Sequence, residues 1–196
     1  MRYLKAFAQD RSGNGKADTV LMHFYERSSN QPDDLIHEAV AVDMNADGIT
    51  DFQFSGGNND DSNSTVADTL LLKAFAGTFL KLCWFNKGEH SQRVLVLKVA
   101  HYTPAGAPNA VELGFFDRVS PVRKPTLIFQ AAGYDGDGNG VLESFTRTDV
   151  NKDGIANNAD KELIRSMCTV FLAFKWYDKA DAGLSKRGQG ADPCGI

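Results

Sequence analysis

The sequence predicts an α+β fold built from two βββα units, each a set of antiparallel strands with one helix packed on it. Three observations lead there: an internal duplication, β-prone segments that recur at matching places in the two halves, and a helically spaced apolar stripe late in each half. Aligned without gaps at an offset of 92, residues 43–87 and 135–179 share Asp43/Asp135, Gly48/Gly140, Asn59/Asn151, Asp61/Asp153, Ala67/Ala159, Asp68/Asp160, Leu71/Leu163, Phe79/Phe171, Leu80/Leu172, Trp84/Trp176 and Lys87/Lys179. With a one-residue slip, Val20 to Arg27 also matches Val111 to Arg118. Self-similarity at this length predicts two copies of one unit, residues 1–92 and 93–196. The Ser91-Gln92-Arg93 junction is too short for a flexible linker, so a single pseudo-symmetric domain over residues 1–196 is expected.

The elements follow in order. In the first half, strands are expected at Tyr3–Ala8, Thr19–Arg27 and Leu35–Val42, where Thr, Val and aromatic residues concentrate, as in Thr19 to Tyr25 (TVLMHFY) and Ala39 to Val42 (AVAV). In the second half they are expected at Val94–His101, Ala110–Arg118 and Thr126–Ala132. Helices are expected over Thr65–Phe85 and Asn158–Tyr177. Leu71, Phe75, Phe79 and Leu82, and then Leu163, Met167, Phe171 and Phe174, recur at helical spacing and read as core stripes. Lys73, Lys81, Arg165 and Lys175 interrupt both apolar runs, which fall short of a membrane span.

Between these elements lie four short acidic stretches. They are Asp10, Ser12, Asn14, Lys16 and Asp18; Asp43, Asn45, Asp47, Ile49 and Asp51; Asp135, Asp137, Asn139, Val141 and Glu143; and Asp149, Asn151, Asp153, Ile155 and Asp160. Each puts oxygen side chains at loop positions 1, 3, 5 and 9, Asn157 being the ninth in the fourth stretch, which ends on Asp160. All four carry Gly at position 6. Calcium takes 6–8 oxygens at about 2.3–2.6 Å, so alternate residues must turn inward while the backbone carbonyl of position 7 closes the ring. That carbonyl belongs to Lys16, Ile49, Val141 and Ile155 in turn. One such stretch is readily explained as an Asx-rich surface turn. Four of them predict a protein that binds about four Ca²⁺.

The loops at Asp10 and Asp43 lack an acid at position 12, where Leu21 and Phe54 stand, and end on Asp at position 9. In this they resemble the DxDxDGxxD loops of FG-GAP blades in integrin-like propellers, in which strands flank the ion. The loop from Asp149 to Asp160 runs on into Lys161 to Met167 and resembles a dockerin or EF-hand loop feeding its helix. These resemblances cover the loops alone, about a quarter of the chain, and imply metal ligation without implying a propeller or a cohesin partner.

The duplication gives each half three loop slots: after the first strand, after the third, and before the helix. In the first half the third slot, Gly57 to Asp68, has Gly57 where its partner has Asp149 and Ser62 in place of the turn glycine, so it is expected to bind weakly or not at all. In the second half the first slot has become His101 to Asn109, without a carboxylate, where proline is expected to hold the turn.

Charge concentrates in the four loops. They hold Asp10, Asp18, Asp43, Asp47, Asp51, Asp135, Asp137, Glu143, Asp149, Asp153 and Asp160, which is 11 of 25 acidic residues, leaving 14 acidic against 21 basic residues elsewhere. The net charge of −4 is thus a property of the loops.

Other chemistry is sparse. His23, His37, His90 and His101 show no zinc spacing, and His37-Glu38 beside Asp33-Asp34 reads as a polar strand start. There is no nucleophile elbow, P-loop or dinucleotide motif, and no catalytic residue is expected. Arg118, Arg123, Lys124, Lys186 and Arg187 make no continuous stripe, so no nucleic-acid partner is expected. Cys83, Cys168 and Cys194 leave two readings open: a disulfide pinning the tail, Cys168–Cys194, or buried free thiols in the helices.

Met1 to Ala8 is too short for a signal peptide, so the chain reads as a mature protein or a module of a longer one. Polar loops of this kind suit millimolar external calcium, which places the chain outside the cell, on its surface or in the periplasm. The expected function is a calcium-stabilised extracellular binding or adhesion module with a protein or glycan partner. The alternatives are a calcium-dependent enzyme or enzyme-associated domain with an open metal position, and a calcium sensor.

Overall fold

The computed structural model describes residues 1–56, 66–86, 93–118 and 124–177. It is an α+β fold with one antiparallel sheet of eight strands and two helices. The strands are β1 (Arg2–Gln9), β2 (Thr19–Glu26), β3 (Asp34–Val42), β4 (Phe52–Gly56), β5 (Arg93–Tyr102), β6 (Pro108–Asp117), β7 (Thr126–Tyr134) and β8 (Ser144–Phe145). The helices are α1 (Val66–Phe79) and α2 (Asn158–Ala173), with a 3-10 turn over Cys83–Asn86. Strand order is β4-β3-β2-β1-β5-β6-β7-β8, so two four-stranded meanders meet at β1 and β5, with Leu4 opposite Leu97 and Ala6 opposite Leu95.

Each half has four strands where the sequence predicted three. The extra strands, β4 and β8, follow directly on acidic loops and pair back onto β3 and β7. The loops at Asp43 and Asp135 are therefore hairpin connections.

Alternation within the strands decides which face the helices cover. Leu4, Ala6 and Ala8 of β1, Val20, Met22 and Phe24 of β2, and Leu95 and Leu97 of β5 point to one side, and all are buried. Against them lie Leu72, Phe75, Ala76 and Phe79 of α1 and Ile164, Met167, Cys168 and Phe171 of α2. The expected stripes are therefore shifted slightly: Leu72 and Ile164 are buried where Leu71 and Leu163 are only partly so.

Both helices end earlier than the apolar spacing predicts. Beyond Phe79 the chain tightens through Lys81 N–H to Thr78 O and Leu82 N–H to Phe79 O, and Phe85 settles 4.3 Å from Phe79. Beyond α2, Lys175 takes a φ of 54°, which turns Phe174 and Trp176 onto Phe24 at 5.4 and 5.7 Å. These late aromatics are sheet-packing residues, not helix residues.

The two tryptophans pack reciprocally. Trp84, from the first half, lies edge-on to Phe115 and Phe129 with the Arg93 guanidinium 4.8 Å from its ring. Trp176, from the second half, lies edge-on to Phe24 with the Arg2 guanidinium 4.7 Å away, and donates Nε1–H to Tyr25 O. Arg2 in turn pairs with Glu26 and Arg93 with Asp117, both at 3.3 Å.

Among the described residues no helix is long and apolar enough to cross a membrane. Cys168 is a free thiol buried on α2, and burial pushes its pKa up to about 12; Cys83 is free and exposed. Among the described residues Cys168 forms no disulfide, and the partner expected for it, Cys194, is not one of them. Cys194, Arg123, Lys186, Arg187, His90, most of the Gly57–Asp68 loop and the Ser91-Gln92 half of the junction lie outside the described residues.

Candidate metal centres

The four acidic loops share a backbone feature. Positions 4 and 6 both have positive φ: Gly13 and Gly15 at 70° and 83°, Ala46 and Gly48 at 57° and 86°, Gly138 and Gly140 at 75° and 89°, Lys152 and Gly154 at 61° and 96°. The position 6 glycine was legible in the sequence. The position 4 requirement was not, because Ala46 and Lys152 occupy it in two of the loops.

An L side chain in the left-handed region costs about 1–2 kcal/mol relative to its right-handed conformation. We therefore expect Ala46→Gly and Lys152→Gly each to stabilise the protein by about 0.5–1 kcal/mol, after the entropy that glycine returns to the unfolded chain. Urea denaturation measures this, and a loss of stability in both variants contradicts it.

Hydrogen bonds repeat with the backbone. The position 1 carboxylate accepts the position 6 N–H: Gly15 N–H to Asp10 at 2.7 Å, Gly48 to Asp43 at 2.7 Å, Gly140 to Asp135 at 2.7 Å, and Gly154 to Asp149 at 3.1 Å. The position 5 side chain accepts the position 7 N–H, with Asn14, Asp47, Asn139 and Asp153 receiving Lys16, Ile49, Val141 and Ile155 at 2.8 to 2.9 Å. At position 2, Arg11, Met44 and Gly136 donate to the position 9 acids Asp18, Asp51 and Glu143.

The loop at Asp149 differs here. Its position 2 N–H, from Val150, goes to Asp160 at position 12, which also accepts from Asn151 and Asn157. Asp160 is at once a loop acid and the N3 member of the α2 capping box, with Asn157 as the cap.

The three other loops close as hairpins. Asp18 N–H reaches Gln9 O, Asp51 reaches Val42 O, and Glu143 reaches Tyr134 O, at 2.8 to 3.0 Å. Asp43 N–H also reaches Asp18 O, which ties the first two loops together at one end of the sheet. At the opposite end Asp135 N–H reaches Asn109 O, so the third loop leans on the carboxylate-free slot. In that slot Thr103 closes the turn: its N–H donates to Ala107 O, its carbonyl accepts Gly106 N–H and its hydroxyl accepts Ala107 N–H. A hydroxyl takes the place that a carboxylate holds elsewhere.

The electrostatics of these loops are unusual. Among the described residues no Lys, Arg or His forms an ion pair with any of the eleven loop carboxylates, whereas Glu26, Asp33, Glu112, Asp117 and Glu162 all have Arg or Lys partners, and Glu38 lies 3.1 Å from His23 Nε2. Asp135, Asp137 and Glu143 bring ligand oxygens within 4.8 Å of one another. Two like charges about 4 Å apart repel by roughly 1–4 kcal/mol at effective dielectrics of 80 to 20. Burial works against the charge on Asp135, yet the N–H groups of Gly140, Gly138 and Asn139 hold its pKa below the ordinary carboxylate value. At Asp18 burial is likewise outweighed by the N–H groups of Arg11 and Ser12 and by hydroxyl donors. Asp135 and Asp18 are thus favoured in the ionised form with no cation paired to them among the described residues.

The donor set fits a hard cation. Asp149 Oδ1 is buried without a hydrogen-bond partner while Oδ2 accepts from Gly154, which leaves one oxygen of a position 1 carboxylate available. Carboxylates, amide oxygens and backbone carbonyls, with no sulfur or imidazole, suit calcium in preference to a softer metal.

Elsewhere His37 Nε2 lies 3.1 Å from Ser55 Oγ, and Asp33 is engaged by Arg27 and Tyr3, so these residues form no zinc set. Comparison with known proteins gives no match, whether to a family model, to a curated protein or to a solved structure.

Proposed function

We propose that this protein binds calcium at the four loops starting at Asp10, Asp43, Asp135 and Asp149, and that the ions lock both ends of its sheet. The observation that carries the reading is eleven carboxylates on four loops that share positive φ at positions 4 and 6, with no cationic partner among the described residues. Four Ca²⁺ would carry the formal charge from −4 to about +4. Asp10, Asp18, Asp43, Asp47, Asp51, Asp135, Asp137, Glu143, Asp149 and Asp153 would supply charged oxygens. Ser12, Asn14, Asn45, Asn139 and Asn151 would supply neutral ones. The carbonyls of Lys16, Ile49, Val141 and Ile155 would close the rings. Asp160 would hold the fourth loop in shape, since its oxygens already accept three N–H groups.

We further infer that the two halves descend from one duplicated unit within a single domain. The sequence matches at an offset of 92, the palindromic strand order and the reciprocal tryptophan packing support this.

As to what the calcium serves, we favour an extracellular binding or adhesion module. Phe52 and Phe54 are exposed on edge strand β4, immediately after the second loop, where a partner surface could meet them. A sensor is disfavoured because three of the loops connect strands and only one feeds a helix, whereas sensors open paired helices.

Calorimetric titration of chelator-treated protein tests the metal reading. About four Ca²⁺ per chain are expected, with affinities in the range of extracellular modules, about 10⁻⁴–10⁻³ M. A stoichiometry of zero overturns it.

A further inference from the structure

The sheet face turned away from the helices carries a groove of about 520 Å³ across β1, β5 and β6. It exists because β1 lies beside β5: Lys5 sits opposite Val96, Phe7 opposite Val94, and Gly114 and Phe116 of β6 opposite Val96 and Val94. Gly114 has no side chain, and the Phe116 ring folds over it so closely that a Cβ would come within 2.6 Å of Cε2. One end of the groove is apolar, made by Phe7, Val94 and Phe116.

The other end is cationic. Arg27 is neutralised by Asp33 at 2.9 Å and Lys98 by Glu112 at 3.4 Å. Lys5 has no carboxylate within ion-pair distance among the described residues; its ammonium lies 4.3 Å from the Tyr25 ring and 5.4 Å from Tyr3. Burial lowers its pKa, and the Asp33 carboxylate, already paired with Arg27, offsets that only in part. Arg118 and Lys124 add two further positive charges at the opposite rim, beyond Phe116, again without a described carboxylate partner. In a chain of net charge −4, positive charge gathered beside an apolar slot is a local arrangement with its own complement.

We propose that this groove binds an amphipathic organic anion, its carboxylate, sulfate or phosphate head on Lys5 and its apolar body along Val96, Phe7 and Phe116. A volume of this size suits a small molecule, with the wall supplying apolar area and one unpaired cation fixing orientation. The groove's lining includes none of the acidic-loop residues, and the site does not depend on the calcium reading.

The test is titration of the ¹⁵N-labelled full chain, at constant calcium, with octanoate, 1-octanol and inorganic phosphate. Octanoate is expected to bind at least about tenfold more tightly than either control, with amide shifts centred on Lys5, Val96 and Phe116. Lys5→Met should reduce octanoate affinity about tenfold, since a desolvated charge–charge contact is worth at least that, while Lys161→Met on exposed α2 should leave it unchanged. Octanol binding as tightly shows a merely greasy surface, and phosphate binding as tightly shows a merely cationic one; either overturns the proposal. Shifts centred elsewhere overturn it without any variant, so the test stands even where Lys5→Met does not fold.

Discussion

If calcium fills the four loops as proposed, adding EGTA is expected to lower the melting temperature of this protein by at least about 10 °C. Ligand that binds only the native state stabilises it by RT ln(1 + [L]/Kd), about 1.4–2.7 kcal/mol per site at ten to a hundred times Kd. Four such sites sum to about 6–11 kcal/mol, and each kcal/mol moves the midpoint of a domain this long by about 2–4 °C. The effect is large because removing the ion also exposes repulsion. Asp135, Asp137 and Glu143 crowd their oxygens within 4.8 Å, and no described cation replaces the metal. The first two loops are joined through Asp43 N–H to Asp18 O, so loss of either proposed ion would loosen both. Differential scanning calorimetry with and without chelator reads the shift. A midpoint that stays put means the loops are held by their Asx hydrogen bonds alone, and the metal reading falls.

How much of this was legible in the sequence depended on the range of the interactions involved. The loops were legible as turns because they close within one short stretch, Asp43, Asn45 and Asp47 accepting the N–H groups of Asp47, Gly48 and Ile49 without help from the rest of the fold. The strands expected at Thr19–Arg27 and Ala110–Arg118 appear as β2 and β6 for the same local reason. The strands β4 and β8 were missed because β8 is only Ser144–Phe145, and both are made strands by the hairpins before them. The helices were overextended because Leu82, Phe85, Phe174 and Trp176 continue an apolar pattern that is satisfied by the sheet. The groove was invisible for a different reason. Lys5, Lys98 and Arg118 form no run in the chain, and only the pairing of β1 with β5 gathers them.

Asp160→Ala should destabilise the protein by about 3–5 kcal/mol, and should do so whether or not calcium is present. Its carboxylate is buried, 1% exposed, and accepts the N–H groups of Val150, Asn151 and Asn157 at 2.9 to 3.1 Å. Alanine leaves all three donors without their acceptor at the point where the loop enters α2. Each orphaned buried donor costs about 1–3 kcal/mol, less where water reaches it, as it does around the half-buried Asn151 and Asn157. The capping box is lost in the same step, because Asp160 returns a hydrogen bond to the N-cap that Asn157 forms. Asp47→Ala provides the contrast. Asp47 is exposed and accepts only Ile49 N–H and Asn45 Nδ2 within its own loop, so its loss should be felt in calcium and nearly vanish in EGTA. Urea denaturation of both variants in the two conditions separates a carboxylate that builds the fold from one that holds an ion. A cost below about 1 kcal/mol for Asp160→Ala would mean that water or another group satisfies those three donors, and the structural role assigned to that acid would be wrong.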